Sequence, residues 1–241
     1  MSPEGVPKLR VLVTRAVEEA EELEKLLRER GMTPVRFPCI AFEDGPDLAR
    51  IAEAVREGPD FIVVSSPHAA RRLLELIGRT SIRSRFAAVG EGTARLLSGD
   101  VVVPREGTGA EALVDVLAPL VRGKRVLVSR AKRSNPALVD GLVAAGATVE
   151  ALTLYRTVTP KTADLSLLNG LDAITFASGS AVRGFVELAG ADAAKGATVA
   201  CLGAQTAREA EVAGIRVDAY SGGSLPELCD SLALAVTARK G

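Results

Sequence analysis

The chain has 241 residues, 47% apolar and 25% charged, enough for a sizeable core in one large or two small domains, and wholesale disorder is excluded. Its 30 basic and 30 acidic side chains cancel, which argues against nucleic acid or a membrane surface as the main partner. The apolar runs fall far short of the roughly 20 residues of a membrane span, MSPEGVPKLR at 1–10 has no apolar signal core, and Cys39, Cys201 and Cys229 are spaced as small core residues of a reducing cytoplasm, not as a disulfide or metal set.

RVLVTR at 10–15 reads as a strand. Ala16, Ala20, Leu23 and Leu27 then fall at i, i+4, i+7 and i+11 and predict a helix with one apolar stripe. Glu21–Lys25 and Glu24–Arg28 are favourable i,i+4 pairs on its wet side, and Gly31 supplies the C-cap. A second strand ends near Phe37, before PCIAFEDGP at 38–46. Further short β-rich runs follow: DFIVVSS at 60–66, FAAVG at 86–90, VVVP at 101–104, RVLVSR at 125–130, AITFAS at 173–178, TVACLG at 198–203 and IRVDAY at 215–220. Most are uninterrupted apolar stretches, the pattern of parallel strands covered on both faces. With helical segments between them, they predict an α/β fold with right-handed crossovers.

The chain repeats itself. RVLVTR returns as RVLVSR at an offset of 115, and PDFIVVSSPHAARRLLEL at 59–76 returns as LDAITFASGSAVRGFVEL at 171–188, an offset of 112. GEGTAR at 90–95 returns as GAQTAR at 203–208, ALVDVL at 112–117 as ELCDSL at 227–232, and ERGMTPV at 29–35 as AAGATVE at 144–150. Conserved order and nearly constant offset indicate a duplicated unit of about 115 residues, too long for a solenoid and sufficient for two similar α/β domains. PCIAFEDGP and its counterpart LTLYRTVTP at 152–160 are both extended and end near a proline. They fit internal loops of two consecutive domains, and equally paired crossover strands with each domain built from the front of one repeat and the back of the other.

In parallel sheets ligands bind at the carboxyl ends of the strands. Those positions here read SSPHAA (65–70), GEGTAR, GTGAEA (107–112), RAKRSNPA (130–137), ASGSAV (177–182), GAQTAR and SGGSLPE (221–227). Gly, Ser and Thr at helix starts let backbone N–H groups and hydroxyls meet an anion, and they are also ordinary caps and turns. Two matched sets of such loops point to an anion-binding cleft between the domains. Neither a P-loop nor GxGxxG spacing occurs, nor any H-E-x-x-H, C-x-x-C or G-x-S-x-G motif, and aromatics at 3% give no stacking stripe for single strands. His68, the only histidine, sits in a helix first turn as a surface or cap residue. Arg15 and Arg130 close equivalent strands, with Lys132 and Arg133 after the second, all readable as solvated charge or as ligand contacts. Tyr155 lies in the crossover segment, as an interface aromatic or with its phenol turned to the gap between domains.

VLVTR (11–15), FIVVSSPHA (61–69), AVGEGTA (88–94), LYRT (154–157), ITFASGSAV (174–182), CLGAQTA (201–207) and SLPEL (224–228), taken in order and spacing, resemble the uroporphyrinogen-III synthase family along nearly the whole chain. The resemblance implies an α/β fold of two similar Rossmann-like or flavodoxin-like domains with parallel sheets, joined by a two-stranded linker. It implies residues 1–37 with 160–241 in one domain, 46–151 in the other, and 38–45 and 152–159 as the linker strands. It further implies a cofactor-free, metal-free, cyclising lyase that acts as a cytoplasmic monomer in tetrapyrrole biosynthesis, with hinge motion about the linkers and with no nucleic-acid or membrane partner. Its substrate would be hydroxymethylbilane, a linear tetrapyrrole polycarboxylate closed to uroporphyrinogen III with inversion of ring D and loss of water. Tyr155 would be the general acid. Ser66, Thr93, Ser178, Ser180 and Thr206 would be carboxylate-contacting or cap positions, and Arg15, Arg130, Lys132 and Gly179 complete the expected substrate-binding set. A non-catalytic two-lobed protein for a small anionic ligand is the alternative; a nucleotide-dependent enzyme would need a phosphate loop absent from this sequence.

Overall fold

Strand β1 (Arg10–Val13) leads through a 3-10 turn at Val17–Glu19 into α1 (Ala20–Glu29) and then β2 (Thr33–Arg36). The computed structural model describes residues 9–78, 82–105, 107 and 109–240; the N-terminal reading over 1–8 and Thr108 of the GTGAEA loop lie outside the described residues. Ala16, Ala20, Leu23 and Leu27 are all fully buried, so the apolar stripe of α1 is its core face, and each leucine there contributes about 2 kcal/mol. Gly31 follows the helix at φ +75, a left-handed turn that a side chain would strain. The charged face differs from expectation. Glu24 is 5% exposed, because Arg36 on β2 reaches over to donate to both of its oxygens at 2.6 and 2.9 Å while Arg28 donates at 3.1 Å. Lys25 pairs with Glu29 at 3.9 Å, in place of the expected Glu21.

The chain continues through β3 (Ala41–Asp44), α2 (Leu48–Glu57), β4 (Phe61–Val64), α3 (Pro67–Ile77), β5 (Arg85–Ala88), the short α4 (Glu91–Ala94), α5 (Ala110–Val121), β6 (Arg125–Ala131), α6 (Ala137–Ala144) and β7 (Thr148–Val158). It closes with β8 (Ala173–Phe176), α7 (Gly179–Ala189), β9 (Thr198–Cys201), α8 (Ala204–Val212), β10 (Ala219–Tyr220) and α9 (Leu225–Lys240). It divides into two compact units. Unit 1 is Met1–Phe42 with Val158–Gly241, and unit 2 is Glu43–Thr157.

Each unit has one five-stranded sheet. Unit 1 has the order β10-β9-β8-β1-β2, every neighbouring pair parallel. Leu12, Ile174, Phe176 and Val199 pack on one face against α7 and α8, and Val11, Val13, Ala173 and Ala200 on the other against α1 and α9. The second sheet has the order β3-β7-β6-β4-β5, with β7, β6, β4 and β5 parallel. Val63, Ala87, Val126 and Val128 pack there against α5 and α6, while α2 and α3 pack on β6. Two-faced burial explains the unbroken apolar runs. Two runs form less strand than their composition suggests. VVVP contributes only a parallel bridge from Val102 to Ala87, since Pro104 has no N–H to continue a ladder. IRVDAY contributes only Ala219–Tyr220, because the Asp218 carboxylate takes the N–H of Val199.

Aligned by the sequence offsets, β1, β2, β8 and β9 correspond to β6, β7, β4 and β5, and the orders β2-β1-β8-β9 and β7-β6-β4-β5 coincide. Unit 2 is one continuous stretch in which α5 runs straight into β6. Unit 1 holds the equivalents, α9 and β1, at opposite ends of its order. The three cysteines are buried and free; burial raises all three thiols, Cys229 to about 11 and Cys201 to about 12, so they are inert core residues.

Candidate functional site

The carboxyl ends of β4, β6 and β7 frame a cavity of about 280 Å³ in unit 2. Its origin is local. β4 ends at Val64, Ser66 takes an extended conformation and caps α3 by accepting from Ala69 N at 3.0 Å, and Pro67 fills the first helical position, where no N–H is needed. On β7, a register shift opposite Arg130 and Ala131 brings Tyr155 level with the end of β6, and Lys132 N donates to its carbonyl at 2.9 Å. Tyr155 is 7% exposed. Its hydroxyl lies 3.1 Å from Ser66 Oγ, and its ring stands edge-on to the His68 imidazole at 4.5 Å between centroids. Two side chains of one helical turn therefore fix the phenol.

The rest of the wall joins apolar side chains, among them Val89, Val128, Leu138 and Val139, to two cationic ones. Arg130 and Arg133 line the cavity with Ser65, Ser134 and Asn135, and no Asp or Glu is among the described lining residues. Arg130 Nη1 is 3.4 Å from Ser134 Oγ, and its buried Nε has no hydrogen-bond acceptor among the described residues. A guanidinium with donors to spare, beside the hydroxyls, suits a carboxylate. Asn135 Oδ1 accepts from Ala137 N at 2.9 Å at the start of α6. Lys132 is exposed beside the cavity, outside its wall.

The equivalent positions of unit 1 are differently equipped. Arg15 also has a buried Nε without an acceptor among the described residues, but its Nη2 binds Glu19 at 3.1 Å. Ser178 caps α7 by accepting from Ala181 N at 3.2 Å. Gly179 lies against the Glu209 carboxylate, which would clash with any Cβ there and is paired with Arg183; Arg183 also donates to Ser180 Oγ at 3.2 Å. A carboxylate of the chain itself thus covers this helix start. Thr93 on α4 and Thr206 on α8 are 2% and 6% exposed. The expected residues therefore separate into Tyr155, Ser66, Arg130 and Lys132 around the unit 2 cavity, Arg15, Ser178, Gly179 and Ser180 at the matching end of unit 1, and two buried threonines. Sequence reasoning missed His68 as a partner of Tyr155, since the two are 87 positions apart in the chain and only the capping turn at Ser66 hinted at what its first turn would meet. Among the described residues no cluster of His, Cys, Asp and Glu could hold a metal ion, and no helix is long and apolar enough to cross a membrane.

A family model described as uroporphyrinogen-III synthase HemD matches residues 21–223. The chloroplastic uroporphyrinogen-III synthase of Oryza sativa subsp. japonica is 28% identical over 223 residues, covering 86% of this chain and 73% of the relative. The uroporphyrinogen-III synthase of Chlorobaculum parvum is 25% identical over 224 residues, covering 86% of this chain and 91% of the relative. Among solved structures, a uroporphyrinogen-III synthetase from Helicobacter pylori superposes with a TM-score of 0.62 at 19% identity, covering 95% of this chain and 100% of that one. A mutant uroporphyrinogen III synthase from Thermus thermophilus gives 0.60 at 20% identity, covering 95% and 99%. At such identities the structural likeness is one of fold.

Proposed function

The chain belongs to the uroporphyrinogen-III synthase family, and we propose that the unit 2 cavity is where it performs that family's chemistry. The protein is an enzyme of tetrapyrrole biosynthesis that cyclises hydroxymethylbilane, with inversion of ring D and loss of water, to uroporphyrinogen III. The observation that carries the placement is a cavity whose described lining holds two arginines and no carboxylate, in a chain whose 30 basic and 30 acidic groups cancel. A linear tetrapyrrole bearing acetate and propionate groups is the kind of polyanion such a wall holds.

The substrate is already prone to ionise, so the protein's task is mainly to hold one folded shape and supply a proton. In this reading Tyr155 donates its phenolic proton to the terminal hydroxymethyl oxygen. The C–O bond breaks, water leaves, and the electron pair of the adjacent pyrrole nitrogen makes the azafulvene. The substituted carbon of ring D attacks to give the spiro intermediate, which fragments and recloses with ring D inverted. The last ring carbon loses a proton as aromaticity returns, and that proton restores the phenol. A tyrosine phenol is one of the side chains that can serve as such a proton donor. Arg130 and Arg133 hold substrate carboxylates. Residues 38–45 and 152–159 serve as the strands connecting the α/β domains, and the free, buried cysteines suit a reducing compartment such as the cytoplasm. Incubation with freshly generated hydroxymethylbilane, with the isomers resolved by chromatography, tests the reading. Uroporphyrinogen III is the expected product, and the non-inverted isomer alone, as closure without an enzyme gives, would overturn it.

A further inference from the structure

We propose that Ser66 is a positioning residue for the Tyr155 proton, acting through the phenol rather than as a ligand of substrate carboxylates; this rests on the reading of Tyr155 given above. A serine hydroxyl has one proton and two lone pairs. One lone pair of Ser66 Oγ accepts from Ala69 N at 3.0 Å. The hydroxyl proton needs an acceptor, and Tyr155 Oη at 3.1 Å is the acceptor that the described residues provide. With Ser66 donating, the phenolic proton points away from Ser66. Tyr155 lines the cavity and Ser66 is not among its described lining residues, so in this proposal the phenolic proton is the one offered to the cavity.

The same bond serves the second half of the step. When Tyr155 gives up its proton and the C–O bond of the substrate breaks, the phenolate that remains accepts a hydrogen bond from Ser66. It also lies beside the N-terminus of α3, an 11-residue helix whose positive end favours an anion. The edge-on imidazole of His68 prevents the ring from swinging out of this arrangement. The duplicated half supplies an internal comparison. Ser178 caps α7 with the same bond, at 3.2 Å to Ala181 N, and with nearly the same backbone, φ −162 and ψ 156 against −164 and 160. The counterpart of Tyr155 there is Ile40, a buried core residue, at the offset of 115, or Ala41 at the offset of 114 that pairs the two linker segments, and neither carries a hydroxyl. Capping therefore accounts for a serine in both halves, and only the Ser66 hydroxyl also meets a phenol.

A double-mutant cycle tests the assignment. Rates of uroporphyrinogen III formation are measured for Ser66→Ala, Tyr155→Phe and the double variant, with KM and the melting temperature of each. Ser66→Ala should lower kcat by about tenfold, the scale of one hydrogen bond to a developing charge, with KM unchanged. In the Tyr155→Phe background the same change should alter kcat less than about twofold, because the group it acts through is gone. Ser66→Asp keeps the cap acceptor but has no proton to give, so it should melt like the native protein and lose kcat like Ser66→Ala. An undiminished Ser66→Ala effect in the Tyr155→Phe background, a change confined to KM, or native kcat in Ser66→Asp would overturn the role of Ser66 while leaving that of Tyr155 standing. Native kcat in Tyr155→Phe would overturn both.

Discussion

After the first strand of unit 1 the chain reads Val17-Glu18-Glu19; after the matching strand of unit 2 it reads Lys132-Arg133-Ser134. The strand-end arginine is present in both, yet Arg15 is neutralised by Glu19 at 3.1 Å, whereas among the described residues Arg130 has only the Ser134 hydroxyl at 3.4 Å. Ile40, packed in the core of one half, also lines a cavity there, whereas at the offset of 115 in the other half the cavity wall carries the phenol of Tyr155. The two halves thus agree wherever folding sets the requirement, in sheet order, capping serines and alternating helices. They part at the loops beyond the strands, where Arg15 is closed into an ion pair and Arg130 has no carboxylate partner among the described residues.

The widest separation between the halves should come from Tyr155→Phe against Ile40→Val. The first should slow uroporphyrinogen III formation by about a hundredfold or more, the usual worth of a general acid, with the melting temperature little changed. The second should cost about 1 kcal/mol of stability and leave the rate near native. Equal rates for the two variants, in an assay that resolves the isomers, would erase the distinction. Next, Arg130→Gln should lower kcat/KM by about tenfold, the value of hydrogen bonds to a charged group, and Arg15→Gln by about twofold, because Glu19 already holds that guanidinium. A larger loss at Arg15 would move substrate recognition to unit 1.

Glu24 sharpens the comparison from the stability side, since its counterpart at the offset of 115 is the apolar Val139, so unit 2 has no carboxylate at that place. The hydrogen bonds from Arg36, and then Arg28, hold its carboxyl below the usual 4.5 against the opposing effect of burial. A lowered folded value means stabilisation that is complete above the unfolded value and is lost as pH falls through the folded one. Glu24→Gln should therefore cost about 1–2 kcal/mol at pH 7, and the difference from native should shrink at pH 3; urea midpoints at the two pH values measure both. The smallest effect is the cap itself. Ser178→Ala should destabilise by about 1 kcal/mol, and Ser66→Ala by a similar amount, read as paired shifts in melting temperature; a markedly larger loss at Ser66 would mean that its bond to Tyr155 also holds the fold.

Much of the architecture was legible because it depends on periodicity. Unbroken apolar runs marked β1, β4, β6, β8 and β9, the stripe from Ala16 to Leu27 marked α1, and the repeat announced two sheets of one design. Requirements set by distant residues were not legible. Glu24 reads as a wet-side helix residue until Arg36, 12 positions on, closes over it. Nothing around Gly184 shows that the carbonyl of Cys39 occupies the space its Cβ would need, nor around Gly45 that Thr153 does the same. For the site, the loops and Tyr155 could be picked out by position and family resemblance. The pairing of Tyr155 with Ser66 and His68, and the opposite charge of two otherwise matched loops, depend on which strands lie side by side.

The strand order carries a consequence for synthesis. β1 lies between β2 and β8, and its first amide, Arg10 N, binds the Asp172 carboxylate 162 positions later in the chain. As the polypeptide leaves the ribosome, β1 and β2 emerge early with a bare apolar edge, while the whole of unit 2, an uninterrupted stretch, can complete its sheet first. The early strands must wait for the last third of the chain before that edge is covered, which makes the opening segment the one most in need of shielding while the protein is being made.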